Sequence, residues 1–447
     1  MRNICFVSNF SKTYLFDVIA QKLAQEGIIV FWIVTNQKLY QFLLSKYEKD
    51  RILYINKSFI DKPSEPVGDF KINELLYGDR VLKYDLFRSE KFLINIQRPI
   101  YNFLKANVVS FVFGEATWAH EVLTMRISTQ CLELNCRYYE PAQVRIPNGR
   151  FAFFIGESNT QLAAVNDDGI VPITSIFKVE KPNYLANNDK IVQKERSIKG
   201  RLTKLKSFFT NENIDDNDPT LLNRQWIRFK IRSKEELNKE TYNFVKRVSF
   251  ESIKGNPFIL LTLHKQPENS IDVYGRYYED QYQNIVNLWR NLPIGWKLVI
   301  KEHTNAIGDR PLSFYKSLQQ YPNLVFVQEN TDSYSLIQYA KLIITPTGTI
   351  AYEAALFGVP SIVFAPVFFS KINYCRYMSF DNLVQYGSIS KLVEDIMNSE
   401  DNRLDFCQYI LNNSFPGLLS DPISFPSALR EENVEKLSSG FFKLISL

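Results

Sequence analysis

Five short apolar runs, at 257–263, 296–300, 324–327, 342–344 and 361–364, are separated by four stretches of helical pattern at 278–290, 309–319, 333–340 and 349–357. Strands that are apolar on both faces must be covered on both faces, and a crossover helix between successive strands supplies that cover while keeping them parallel. The alternation therefore predicts a doubly wound parallel sheet. Ser333 is the expected N-cap of the third helix, and Gly358 stops the fourth.

The N-terminus repeats the plan on a smaller scale. An apolar run at 3–8, a helical pattern at 15–26 closed by Gly27, and a second apolar run at 28–34 read as a parallel βαβ unit, with further strand-like runs at 108–113 and 151–155. Between these halves the character changes. Residues 186–250 are charge-rich and helix-favouring around the acidic turn NENIDDNDP, as expected of a connector. The division expected is a first domain over 1–185, the connector over 186–250, a second domain over 251–420 and a helical tail over 421–447.

Charge and cysteine usage narrow the function classes. Fifty-three basic against 48 acidic residues leave a surplus of +5 over 447 residues, which argues against nucleic acid as a partner. The basic side chains between Lys199 and Lys234 are the exception, suited to the anionic inner face of a cytoplasmic membrane if the connector is more than a solvated helix pair. The five cysteines form no zinc-ligand pattern and fit a reduced, cytoplasmic protein. The N-terminal apolar run is too short for a secretory signal, and nowhere is there an uncharged apolar run long enough for a transmembrane helix.

In an open parallel sheet, ligands bind beyond the carboxyl ends of the strands. The residues just after the apolar runs form four clusters: Glu115 to His120, His264-Lys265-Gln266-Pro267-Glu268, Lys301-Glu302-His303, and Thr345-Pro346-Thr347-Gly348-Thr349. All three histidines of the chain fall in them. The Thr347-Gly348-Thr349 turn opens a helix, so hydroxyls, free N–H groups and the positive helix end suit a phosphate, with Gly348 allowing close approach and Glu353 placed for ribose hydroxyls. The bland alternative is that Thr349 and Glu353 merely cap the helix. Arg145 offers a guanidinium fork to an anionic sugar, Lys265 being the second choice; a structural ion pair is the alternative for Arg145. No metal pair of the DxD kind accompanies the site, so no metal or other cofactor is expected.

The order of LHKQPE, KEH, PNLVFV and TPTGTIAYEAALFGVPSIVF resembles the C-terminal nucleotide-sugar domain of GT-B glycosyltransferases. More narrowly it resembles the bacterial capsule and surface polysaccharide family that includes the β-Kdo transferases. The resemblance implies two Rossmann-like domains facing a cleft and transfer of a sugar, Kdo or a related nonulosonic acid from a CMP donor, to a surface, capsular or lipid-linked glycan. It implies that His303, Thr347 and Thr349 hold the donor phosphate; Gln266, Lys301, Gly348 and Glu353, from the same strand-end clusters and the helix that follows, are the further donor-site candidates. Glu115 then stands where that family has its catalytic acid, Glu268 is the carboxylate for a covalent step, and His120, His264, Lys265 and Arg145 lie toward the substrate. Two rivals remain: a UDP-sugar enzyme, either transferase or 2-epimerase, and a non-catalytic scaffold of polysaccharide assembly.

Overall fold

The computed structural model describes residues 2–165, 172–180, 215–222 and 224–447. Two sheets organise it. The first runs in the order β14-β6-β5-β4-β1-β2-β3, with β7 added at β6; the second runs β10-β9-β8-β11-β12-β13. The strands of the first are β1 (Asn3–Val7), β2 (Ile29–Val34), β3 (Ile52–Tyr54), β4 (Val109–Phe113), β5 (Arg137–Gln143), β6 (Arg150–Ile155), β7 (Gln161–Leu162) and β14 (Phe415–Pro416). Those of the second are β8 (Phe258–Thr262), β9 (Lys297–Lys301), β10 (Leu324–Val327), β11 (Leu342–Thr345), β12 (Ser361–Val363) and β13 (Cys375–Tyr377).

Every pairing in the second sheet is parallel. The doubly wound architecture expected from the apolar runs is thus present, and β10 occupies the expected residues. One cap differs: Asp332, not Ser333, is the N-cap of helix Ser333–Tyr339, its carboxylate accepting from the Ser335 N–H at 2.8 Å. In the first sheet β5, β4, β1, β2 and β3 are parallel, whereas β6 turns back antiparallel against β5 and β14 against β6.

The chain's end returns to its beginning. After β14, helix Glu431–Ser446 lays Val434, Leu437, Phe441, Leu444 and Ile445 into the core formed by β1, β2 and helix Lys12–Gln25. A further apolar core joins the two units, with Ile146, Phe154 and Leu162 of the first packed against Tyr352, Phe368, Phe406 and Ile410 of the second. Much of the basic stretch 199–234 lies outside the described residues; 215–222 docks on the first unit, where Asn217 O accepts from the Lys57 N–H at 2.8 Å. Among the described residues no helix is long and apolar enough to cross a membrane. All five cysteines are buried free thiols.

Candidate functional site

Both sheets have a point where strand order reverses, and there the loops beyond adjacent strands part to leave a crevice. In the first sheet β2 lies on one side of β1 and β4 on the other, so the crevice is framed by Asn9 after β1 and Glu115 after β4. In the second the same reversal falls between β8 and β11, framed by His264 and Thr347. The two crevices open on each other. A cleft of about 470 Å³, within the usual range for a small-molecule site, is walled by Glu115, Glu140, Trp118 and Arg80 from the first unit and by Glu268, Asn269 and Tyr274 from the second.

Three carboxylates with three different environments lie at this wall, Glu115 and Glu140 lining the cleft and Glu121 fully buried behind them. Glu115, beside Trp118 in the cleft wall, is ion-paired with Lys12 and accepts from Asn9 Nδ2 at 2.8 Å. Glu121 accepts from the backbone N–H groups of Thr117 (3.0 Å) and Trp118 (2.9 Å), yet burial, with the charge of Glu115 adding, holds it well above the ordinary carboxylate value. Glu140 lies within β5; burial pushes its carboxyl up to about 7, the Tyr274 hydroxyl pulling the other way and Glu115 adding to the rise. Neither Glu121 nor Glu140 was anticipated as a site residue. The signal for Glu140 was present in the sequence as an acid set among Tyr138, Tyr139 and Pro141 in a buried strand.

The second wall is a connected set of polar groups. His264 Nε2 lies 2.9 Å from Thr345 Oγ1, the same hydroxyl oxygen accepts from the Gly348 N–H at 3.1 Å, and Thr347 Oγ1 donates to Ser270 O at 2.6 Å. Ser270 Oγ in turn donates to Glu268 Oε2 at 3.0 Å. A Cβ on Gly348 would stand 2.6 Å from Thr345 Oγ1, so the turn closes only with glycine there. Burial lowers His264 to about 3, which makes it a neutral hydrogen-bonding group. Thr349 stands at the start of helix Ile350–Leu356 with no side-chain cap bond of its own.

Other expected site residues are placed differently. Arg145 Nη2 lies 2.6 Å from Glu353 Oε1, an ion pair between the units, while Arg145 Nε has no partner among the described residues; this pair is the structural alternative to a sugar contact by Arg145. His120, 3% exposed in helix Ala119–Gln130, has both ring nitrogens buried without a partner, burial lowering it to about 4, and it does not line the cleft. Gln266 is held by Gln281, Asp272 and the Glu279 carbonyl. Lys301 donates to Ser333 Oγ at 3.0 Å, and Lys265 faces the Asp309 carboxyl. His303 is exposed beyond β9, its Nδ1 accepting from the Asn305 N–H at 3.1 Å. Its neighbour Glu302 is structural, buried against Arg310 (2.8 Å) and the Tyr315 hydroxyl (2.6 Å). Among the described residues no group of three or more His, Cys, Asp and Glu side chains is arranged to hold a metal ion.

No protein-family model and no curated protein matches the chain. Solved structures similar to it include a β-Kdo 2,7 transferase from Thermosulfurimonas dismutans, at 11% identity and a TM-score of 0.36 over 100% of this chain and 99% of that one. A β-Kdo 2,4 transferase from the same organism matches at 12% and 0.32 over 75% and 87%. A UDP-GlcNAc 2-epimerase from Neisseria meningitidis bound to UDP-GlcNAc matches at 13% and 0.28 over 92% and 98%. With TM-scores this low, the likenesses carry neither the fold assignment nor the chemistry; both rest on the geometry described above.

Proposed function

We propose that the protein is a glycosyltransferase that binds a nucleotide-sugar against the second unit and an acceptor glycan, free or lipid-linked, against the first. The observation that carries this reading is the cleft where both strand-order reversals meet, with Glu115 and Glu140 on one wall and Glu268 on the other. Two carboxyls in contrasting surroundings can divide acid and base roles between them. Glu115, ion-paired with Lys12, suits a base that takes the acceptor hydroxyl proton, and Glu140, whose carboxyl burial raises to about 7, suits a reservoir for that proton. Glu268, facing them, is the carboxylate for a covalent glycosyl step if configuration is retained.

On this reading the donor phosphate lies at the Thr347-Gly348-Thr349 turn with His303 beside it, and the donor is a CMP-linked acidic sugar. A diphosphate calls for additional cations, whereas Arg145 is committed to Glu353 and Lys301 bonds Ser333. That economy of charge supports a single phosphate. Thermal shift with CMP, UDP and GDP at equal concentration tests the donor: the largest rise is expected with CMP, and a UDP preference overturns the donor class. A nucleotide-sugar 2-epimerase is the second reading, favoured by carboxylates on opposite walls of one cleft. Product analysis with donor alone separates the two, since only an epimerase yields the C2 epimer without an acceptor.

A further inference from the structure

Arg80 sits in the loop between helix Ile72–Gly78 and the turn Leu82–Tyr84, and three backbone bonds fix that loop. Asp79 Oδ1 accepts from the Val81 and Leu82 N–H groups, both at 2.8 Å, and its Oδ2 accepts from the Ala119 N–H at the start of helix Ala119–Gln130, also at 2.8 Å. The same carboxylate thereby pins Arg80 beside Trp118. The Arg80 guanidinium lies 5.5 Å from the Trp118 ring centre, and Phe10 packs on that indole with ring centres 5.2 Å apart.

All three residues line the cleft, and their polar atoms are unspent. Among the described residues, Arg80 Nε and Trp118 Nε1 are buried donors with no partner, Trp118 being 8% exposed, and Asn159 Oδ1 in the same cleft is a buried acceptor with none. The Arg80 guanidinium makes no ion pair or hydrogen bond with any described residue, its recorded contact being the stack on Trp118. Buried donors are nearly always satisfied in folded proteins, and leaving one unmet costs free energy, so two donors and an acceptor unmet in one cleft point to a ligand that meets them. Arg80 is moreover the single cation among the described residues that line a cleft also holding Glu115, Glu140 and Glu268.

Resting on the proposed function, we infer that Arg80, Trp118 and Asn159 form a subsite for the carboxylate and a neighbouring hydroxyl of an acidic sugar. A guanidinium fork and an indole N–H are donors matched to a planar carboxylate, the amide oxygen accepts from a hydroxyl, and Phe10 with Trp118 offers aromatic surface to the sugar's apolar face. The acidic neighbours do not forbid an anion. Glu115 is ion-paired with Lys12, burial raises the Glu140 carboxyl to about 7 so that it carries only part of a charge at neutral pH, and Glu268 accepts from the Ser270 hydroxyl on the opposite wall. The subsite replaces Arg145, which its pair with Glu353 occupies, as the recognition point for the acid group.

The chain has five tryptophans, so 5-fluorotryptophan labelling gives a fluorine spectrum of five signals, with Trp118 assigned by its loss in Trp118→Phe. Sodium glucuronate, methyl glucoside and inorganic phosphate are titrated separately into the full-length protein. The expected result is a shift of the Trp118 signal with glucuronate and none with methyl glucoside. Arg80→Ala should weaken glucuronate at least about tenfold, Arg80→Lys recovering only part, as expected for loss of a charge-assisted hydrogen bond. Five dispersed signals in Arg80→Ala would show that the variant is folded; a collapsed spectrum moves the test to Arg80→Lys, which must show the same weakening. Equal responses to glucuronate and methyl glucoside, or unchanged affinity in the arginine variants, overturn the inference. A phosphate response equal to that of glucuronate assigns the subsite to phosphate and overturns the sugar-acid reading. Glucuronate binding by a protein that binds no nucleotide leaves the subsite standing and removes the transferase reading; nucleotide binding without a glucuronate response does the reverse.

Discussion

The Tyr274 hydroxyl lies 2.5 and 2.6 Å from the two carboxyl oxygens of Glu140, so a side chain of the second unit reports on the protonation of a buried acid in the first. Both residues line the cleft, and the raised Glu140 carboxyl couples the stability of this contact to pH.

The sign of that coupling follows from the direction of the shift. Burial raises the Glu140 carboxyl from 4.5 to about 7, so between those values the folded protein holds a proton that the unfolded chain has lost, and stability falls as pH rises through this window. Glu140→Gln should flatten that fall, which for this buried group is worth roughly 3 kcal/mol at most. Urea midpoints of both proteins at pH 5, 6, 7 and 8 check it; parallel curves would show that Glu140 does not titrate there.

Arg145 and Glu353 give a second test, of the contact between the units. Glu353 is almost fully buried, so Arg145→Met leaves a carboxylate without its cation and should cost about 1–3 kcal/mol of unfolding free energy. Adding Glu353→Gln to that variant should recover part of the loss, and a double-mutant cycle with no coupling term would show the pair to be idle.

Turnover is expected to depend on Glu115 more than binding does. Glu115→Gln should lower kcat by roughly 100-fold or more with donor affinity nearly unchanged, because the side chain serves the reacting hydroxyl rather than the nucleotide. Wild-type turnover in that variant removes Glu115 from the chemistry.

The two threonines of the turn should separate cleanly. Thr347 donates to Ser270 O, so Thr347→Val is expected to lower the melting temperature as well as nucleotide affinity. Thr349 has no such internal bond, and Thr349→Val should weaken nucleotide by about 1 kcal/mol or more at unchanged stability. Calorimetric titration beside a thermal melt distinguishes the two; equal nucleotide affinity in both variants and the wild type rules out the turn as the phosphate site.

The second sheet was legible because strands buried on both faces leave continuous apolar runs, and Leu342–Thr345, buried at every position, is the plainest case. Residues 36–107 resisted the same reading. Helix Leu86–Ala106 buries Asn95 and Gln97, which accept from the N–H groups of Ser64 (3.3 Å) and Val67 (3.2 Å), so polar residues sit on its inner side and blur the period. Glu115 could be found as a strand-end acid, but Glu140 lies inside a strand and its partner Tyr274 is 134 positions away. Arg145 and Glu353 are 208 positions apart, and no local pattern announces a pair at that separation. The return of Phe415–Pro416 to the first sheet is likewise a long-range pairing with no local mark.

That return bears on how such a molecule can be recombined. The first unit is assembled from both termini, β1 at its centre and helix Glu431–Ser446 across its face, so the second is spliced into it rather than appended. Exchange of the first unit between kindred enzymes must carry the last thirty or so residues along with the beginning of the gene, since a single crossover would strip Phe441 from its aromatic neighbours Phe6, Phe113 and Phe153. Chimaeras with one junction are therefore expected to be insoluble, and those with two to fold.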